Sequence, residues 1–446
     1  MTTGPAGERP AARLGVACGR LGRAVSPAMW QTLFLFATDS VANVIDYLFH
    51  AFLGRTLAPG DFAVVQTMNA VFLIVGTAFG VLQPVVARFV ARSRSLGEPP
   101  ARRAAIFQLY LYQSLGLGLA LAALAWLGRG PLAGWLNVPV AAIGLAAAAG
   151  VAFLARPVVN GMLQGRERFA LFGLAHTVYA SGRLLTALAL VGWLGAAALG
   201  GVAAMVTGLF LALVAGLLFL GRSVWVRPAP GALAARPLLR EGWRLSLAAF
   251  FAYAAYMALL NSDIIWTNRT LAPTMAGTYA SAAVLRRVMA VLPGAVIIVL
   301  FPRIAAQVAL GRRPDRTLLK AAAAVTASTT ALALVYVAFG PQLVRLLFGA
   351  NYPQAAGLLG LMAVGMIGAG LLAIALNLFL ASRPWPFVVV LTLLAGLQIA
   401  LLARWGQTAE AATALFAVTI WLGVLAGAAI YGLWLRPSLR GQGEMA

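Results

Sequence analysis

The chain has 446 residues, 62% of them hydrophobic and only 10% charged, with a mean hydropathy of +0.90 and a formal net charge of +22. This balance excludes a water-soluble globular domain and a disordered chain, both of which need far more polar surface. The lone cysteine, Cys18, excludes an intramolecular disulfide and a cysteine-based metal site.

Residues 1–29 are basic and rich in Gly and Pro, without a secretory cleavage pattern, and predict a mobile cytoplasmic tail. Beyond them, stretches long enough to cross about 30 Å of hydrocarbon recur twelve times. They lie at roughly 30–53, 62–86, 104–128, 138–155, 170–193, 197–220, 244–267, 277–300, 321–347, 355–381, 386–404 and 410–435. Backbone groups in a bilayer must be satisfied internally, so these are expected as helices, and the fold class is an all-α polytopic membrane protein. The fourth, 138–155, is short and alanine-rich. Residues 221–243 hold three prolines and four arginines and read as a cytoplasmic linker. The expected organisation is thus 30–220 and 244–435, six spans each, with 436–446 as a second tail.

The halves are related. Arg-Thr-Leu-Ala-Pro occurs at 55–59 and again at 269–273, 214 residues apart, and the similarity continues until one inserted residue brings Arg88 opposite Arg303. Two similar membrane bundles in one chain is a transporter organisation.

Charge placement sets the expected orientation. With the N-terminus inside, 25 of the 33 basic residues fall on the inner side. The outer side keeps Arg55, Arg129, Arg269, Arg345 and Arg404, and Arg183, Arg286 and Arg287 fall within spans. This positive-inside bias predicts both termini in the cytoplasm, and basic loops that meet anionic lipid headgroups rather than nucleic acid. The outer connections carry only Asp61 and Glu410 as acids, and no nucleotide-binding or hydrolase motif occurs. A non-enzyme without a cofactor is expected, with any pumping driven by protons, sodium or the membrane potential.

Ionisable groups at membrane depth cost a few kcal/mol each and so mark candidate sites. The first span carries Asp39, Asn43, Asp46 and His50 on one helical face. The fifth carries His176, Tyr179, Arg183 and Thr186, again one face. The seventh offers Tyr253, Tyr256 and Asp263, with Asn261 beside them; the eighth offers Tyr279, Arg286 and Arg287. In the second, Gln66, Asn69 and Gln83 align around Gly76-x-x-x-Gly80, a pair that reads as a helix-packing surface. Three arginines against three aspartates predict a mixed, roughly neutral cavity. Asp46 and Arg183 could be a pair that stabilises the bundle or a working site; His50 and Asp263, near span ends, are open between interface and function. An unpaired buried arginine invites an anion, because its fork of donors matches phosphate.

Here the chain resembles a known family. LGRTLAPGDFAVVQTMNAVF, with Arg55, Leu57, Pro59, Asp61 and Phe62, is similar to the opening of the polysaccharide-exporter branch of the multidrug/oligosaccharidyl-lipid/polysaccharide (MOP) exporter superfamily. Asp263, Ala276-Gly277-x-Tyr279 and Phe301-Pro302-Arg303 resemble its seventh and eighth helices. The resemblance implies a MATE-like, V-shaped pair of six-helix lobes that alternates between open states. It further implies an undecaprenyl-diphosphate-linked oligosaccharide, moved from the inner to the outer leaflet of the bacterial plasma membrane, with polysaccharide polymerase machinery as a conceivable partner. On that expectation Arg183 with Arg286 or Arg287 clamps the diphosphate. Asn43, His176, Tyr179, Tyr253 and Tyr256 contact sugars, and Asp39, Asp46, His50 and Asp263 serve ion coupling or act as counter-ions. Arg286 and Arg287 point about 100° apart, so both cannot face one cavity equally. The competing expectation is a cation-coupled multidrug antiporter, in which Asp39 and Asp46 do the coupling. A lipid II flippase would usually need more spans, and a membrane-bound polymerase or ligase a catalytic outer loop.

Overall fold

The computed structural model describes residues 27–226 and 235–436, apart from residues 292, 295, 297–302, 305, 309 and 383. The predicted tail with Cys18, the centre of the predicted linker, Phe301-Pro302 and the C-terminal tail beyond 436 lie outside the described residues. Among the described residues the ordered elements are helices and no strand occurs.

The first half contains α1 (Pro27–Thr56), α2 (Pro59–Gly80), α3 (Leu82–Ser95), α4 (Pro100–Leu127), a short α5 (Arg129–Leu136), α6 (Val140–Gly165), α7 (Phe169–Ala187) and α8 (Ala197–Leu220). The second contains α9 (Ala235–Thr270), α10 (Pro273–Val288), α11 (Asp315–Phe348), α12 (Ala355–Ala381), α13 (Pro384–Trp405) and α14 (Ala409–Ile430). Both α2 and α10 begin at the proline of the repeated pentapeptide, where a fixed φ and a missing N–H suit the first helical turn. α2 and α3 form one span bent at Val81, and α11 kinks at Phe339, two residues before Pro341.

Among the described residues, ten helical segments are long and apolar enough to cross a membrane. The two further predicted spans fall on α1 and α10. α1 is 30 residues long and carries Asp39, Asp46 and His50 among its apolar residues. α10 stops after 16 residues, directly behind the Arg286–Arg287 pair, and much of the segment up to residue 309 lies outside the described residues.

One predicted boundary is corrected. The fourth span does not end at 155: α6 runs for 26 residues through Pro157 to Gly165. Packing overrides the proline. A Cβ on Gly161 would stand 2.6 Å from the Gln83 carbonyl oxygen, and one on Gly165 would stand 2.8 Å from that of Ala87, so α6 lies directly against α3. Arg156, expected in a loop, is therefore inside a membrane-depth helix.

Within the first half, α1 packs on α7, α4 and α3 on α6, and α8 on both α6 and α7. Within the second, α11 packs on α12, α14 on α12, and α13 on α9. The halves meet where α2 lies against α9 and α10. A Cβ on Gly277 would be 2.4 Å from the Pro59 carbonyl oxygen, and one on Gly60 would be 2.9 Å from the Pro273 Cβ. The two copies of the repeat thus pack onto each other, and glycine permits the approach.

Candidate transport cavity

A cavity of about 480 Å³ lies in the first half, walled by α1, α2, α3, α6, α7 and Leu209 of α8, with Val284 and Arg287 of α10 on one side. The polar face of α1 lines it as its spacing predicts, with Asp39, Asn43, Asp46 and His50 all at the wall, joined by Tyr47. α7 contributes His176, Tyr179 and Arg183.

Two acid–base pairs bridge α1 and α7 on their facing sides, two helical turns apart. His176 Nδ1 is 2.7 Å from Asp39 Oδ1, its ring stacked on Tyr179, and Asn43 donates to Asp39 Oδ2 at 3.5 Å. Arg183 Nη1 lies 2.8 Å from Asp46 Oδ1 and donates to the Tyr179 hydroxyl at 2.9 Å. Asp46 Oδ1 receives no aligned N–H, so this contact is an ion pair rather than a directed hydrogen bond. The guanidinium also covers the Phe49 ring at 4.0 Å. α8 presses it into place, since a Cβ on Gly208 would be 2.8 Å from Arg183 Cγ.

A polar chain then crosses to the second half. Arg287 Nη1 donates to Gln66 Oε1 at 3.1 Å, which turns the Gln66 amide nitrogen toward His50 Nδ1 at 2.9 Å. His50 Nδ1 must accept there, so its neutral ring carries the proton on Nε2, which faces Asp46 Oδ2 at 3.7 Å. The Arg183 Nη2 contact with that Nε2, at 3.3 Å, then sets donor against donor and is not a hydrogen bond.

Three guanidinium groups at the wall keep a buried N–H without a partner, and in Arg183 it is Nε. Arg287 has Nε and Nη2 buried without a partner. Arg156 stacks 4.7 Å over the Tyr179 ring and has Nε buried without a partner. The cavity wall carries Arg156, Arg183 and Arg287 against Asp39 and Asp46, one net positive charge with the histidines neutral.

This architecture has counterparts among solved structures. An inward-facing multidrug-resistance MATE family transporter of the MOP superfamily aligns with a TM-score of 0.66 at 14% identity, covering 94% of this chain and 100% of that one. The lipid II flippase MurJ, in an inward closed conformation, aligns with a TM-score of 0.70 at 10% identity, covering 91% of this chain and 87% of that one. This chain has the MOP transporter fold. A further MOP superfamily transporter, from Pyrococcus furiosus and described by the reverse polarity of its binding pocket, aligns with a TM-score of 0.59 at 15% identity, covering 93% of this chain and 94% of that one. No protein-family model and no curated protein matches the chain, so the likeness is one of fold.

Within the MOP fold several expected positions move. Arg286 is not at the cavity. Both its terminal nitrogens donate to Asp263, one of them to Oδ1 at 3.2 Å; its Nη2 also donates to the Leu260 carbonyl at 2.8 Å, and Tyr279 donates to the same carboxylate. Arg286 is 2% exposed, Asp263 0%, and the guanidinium sits 4.1 Å over Phe416. Asp263 is therefore the counter-ion of Arg286 in the interior of the second half, and Arg287, one residue on, is the one turned to the cavity. Tyr256 is buried, donating to the Ala369 carbonyl at 3.1 Å, and neither it nor Tyr253 lines the cavity. The expected neutral balance gives way to a net positive wall because the Arg286–Asp263 pair leaves it and Arg156 enters.

The Gly76–Gly80 packing surface is corrected at Gly80 alone, since Gly76 packs against Phe153 of α6. Both glycines line the cavity; a Cβ on Gly76 would meet only the Phe153 ring, and one on Gly80 would meet nothing within 4 Å. Arg156 and Asn160, together at the wall, were missed. Their four-residue spacing on one helical face was the available signal, hidden because Arg-Pro reads as a helix boundary.

Proposed function

We propose that this MOP-fold protein is a bacterial inner-membrane transporter, not an enzyme, and that it flips an undecaprenyl-diphosphate-linked oligosaccharide to the outer leaflet by alternating access of its halves. The observation that carries this reading is the pair Arg156 and Arg287. They come from different halves, flank one cavity and keep N–H groups without acceptors. A diphosphate supplies both the charge and the acceptor oxygens that such groups lack. Arg183 is held by Asp46 through Nη1 and keeps Nε without a partner, so an anion that engages it shares it with that carboxylate. Asn43, His176 and Tyr179 stand where sugars would lie, and the polyprenyl tail stays in lipid. The Asp39–His176 pair is the candidate for proton or sodium coupling, with no resident cofactor, and polysaccharide polymerase machinery is a fitting neighbour for the product.

The second reading is a cation-coupled multidrug antiporter. Asp39 favours it, because its side chain is 51% exposed and a cationic drug could displace His176 from it.

Transfer of a labelled undecaprenyl-diphosphate oligosaccharide across proteoliposomes decides between them. Under the flippase reading, Arg156→Ala or Arg287→Ala lowers the rate about ten- to a hundredfold, the loss expected for one hydrogen bond to a charged group. Absence of transfer, with ion-driven dye efflux that Asp39→Asn abolishes, would hand the cavity to the antiporter.

A further inference from the structure

The halves are tied together at one end of the bundle by two joints built alike. Asn137 Nδ2 donates to the Asn268 carbonyl at 2.8 Å, and Asn351 Nδ2 donates to the Gly54 carbonyl at 3.3 Å. Asn137 and Asn351 are 214 residues apart, and so are Gly54 and Asn268, the same offset that separates the Arg-Thr-Leu-Ala-Pro copies. Each donor opens an Asn-x-Pro triplet, Asn137-Val138-Pro139 and Asn351-Tyr352-Pro353, just beyond a helix that ends in a left-handed residue: Asn137 itself at φ 54° after α5, and Gly349 at φ 72° after α11.

The first residue of each repeat completes the joint. Arg269 Nη1 donates to the Trp135 carbonyl at 2.7 Å, in the last turn of α5. Arg55 donates to the Leu347 carbonyl at 3.1 Å and to that of Leu346, in the last turn of α11. Both arginines thus cross to the opposite half and occupy the carbonyl end of a helix, where free acceptors and the negative pole of the helix favour a cation. The joints differ in filling. Asn268 donates back to the Leu136 and Asn137 carbonyls at 3.0 Å each, whereas the other joint packs Phe348 and Tyr352 against Phe62.

Behind the joints the seam is filled by apolar side chains: Phe62 of the first half packs against Phe348 and Tyr352 of the second, all three fully buried. Arg55, Arg269, Asn137 and Asn351 are themselves exposed, so water can replace each bond when it breaks.

We propose that the two joints are a single two-fold-related latch that keeps the halves shut at the repeat-bearing end, and that they release together when the cavity opens there. The proposal rests on the reading that the halves alternate. A tilt of one half against the other, about an axis in the membrane plane and parallel to their interface, separates both joints at once.

The test uses a Cys18→Ser background with Phe62→Cys as a reporter in the buried seam, labelled by a membrane-impermeant maleimide added from the repeat-bearing side. In membranes the reporter should react slowly. Asn137→Ala and Asn351→Ala should each speed labelling by a similar factor, and the double variant should speed it at least tenfold. Arg55→Lys with Arg269→Lys, which keeps charge and loses the planar fork, should give an intermediate rate and controls for misfolding. Unchanged labelling in the double variant overturns the latch, and so does a response confined to one asparagine. The readout needs no cargo: faster labelling without transfer of the lipid-linked glycan would leave the latch standing while the proposed substrate falls.

Discussion

Consecutive arginines on α10 project about 100° apart, and that angle sends Arg286 into a closed ion pair and Arg287 to a cavity wall. Their substitutions should therefore fail differently. Arg286→Ala strands the fully buried Asp263 carboxylate, which costs about 3–5 kcal/mol when one partner of a buried pair is removed. Thermal unfolding in detergent should show a large loss, largely restored in the double variant Arg286→Met/Asp263→Leu. Arg287→Ala removes a group with two unpartnered nitrogens, so its melting temperature should stay near that of the unaltered protein while transport falls. Equal destabilisation by both would make Arg287 structural as well. The residue types, and the fact that only one of the two could face a cavity, were legible in the sequence. Which one was not, because the azimuth of α10 is set by its packing on α2 and α12 rather than by its own side chains.

At the scale of helices, the same glycine motif serves opposite ends. Gly161 brings α6 onto α3, whereas Gly80 opens on the cavity. Gly161→Val should drive the helices apart and destabilise the protein by about 1–3 kcal/mol, the range for forced overpacking. It should also displace Arg156, five residues away on the same helix. Gly80→Val should leave the melting temperature unchanged, and Gly80→Trp should block transport in a well-folded protein. If Gly80→Val melts as low as Gly161→Val, the cavity is not where the structure puts it. The positions of most helices could be read from apolar length, and the polar faces of α1 and α7 from four-three-four and three-four-three spacings. The end of α6 could not, because Arg156-Pro157 carries a local boundary signal that packing against α3 overrides. Spacing alone also cannot tell whether two glycines face another helix or an open space.

At the scale of the whole molecule, the pentapeptide repeat was visible as a long identity, but Asn-x-Pro was not. A shared asparagine and proline are too little to stand out until contacts show both asparagines reaching across the same seam. That seam can be tested without substrate or reporter. With a protease site placed within 227–234, cleavage of the folded, membrane-embedded protein leaves two halves held only by their contacts. Buried packing of α2 on α9 and α10, with the reciprocal joints beside it, should keep the halves together through detergent extraction and affinity purification. Gly277→Leu should release them after cleavage, because its Cβ alone would already stand 2.4 Å from the Pro59 carbonyl oxygen. Backbone cannot yield as a flexible side chain can, so the α2–α10 crossing has to separate. Gly60→Leu should do the same to a lesser degree, since the atom it meets is the Pro273 Cβ at 2.9 Å and not a carbonyl. Halves that stay joined in Gly277→Leu would mean that the close approach of the two repeats does not hold the molecule together, and that the work falls to α2 against α9.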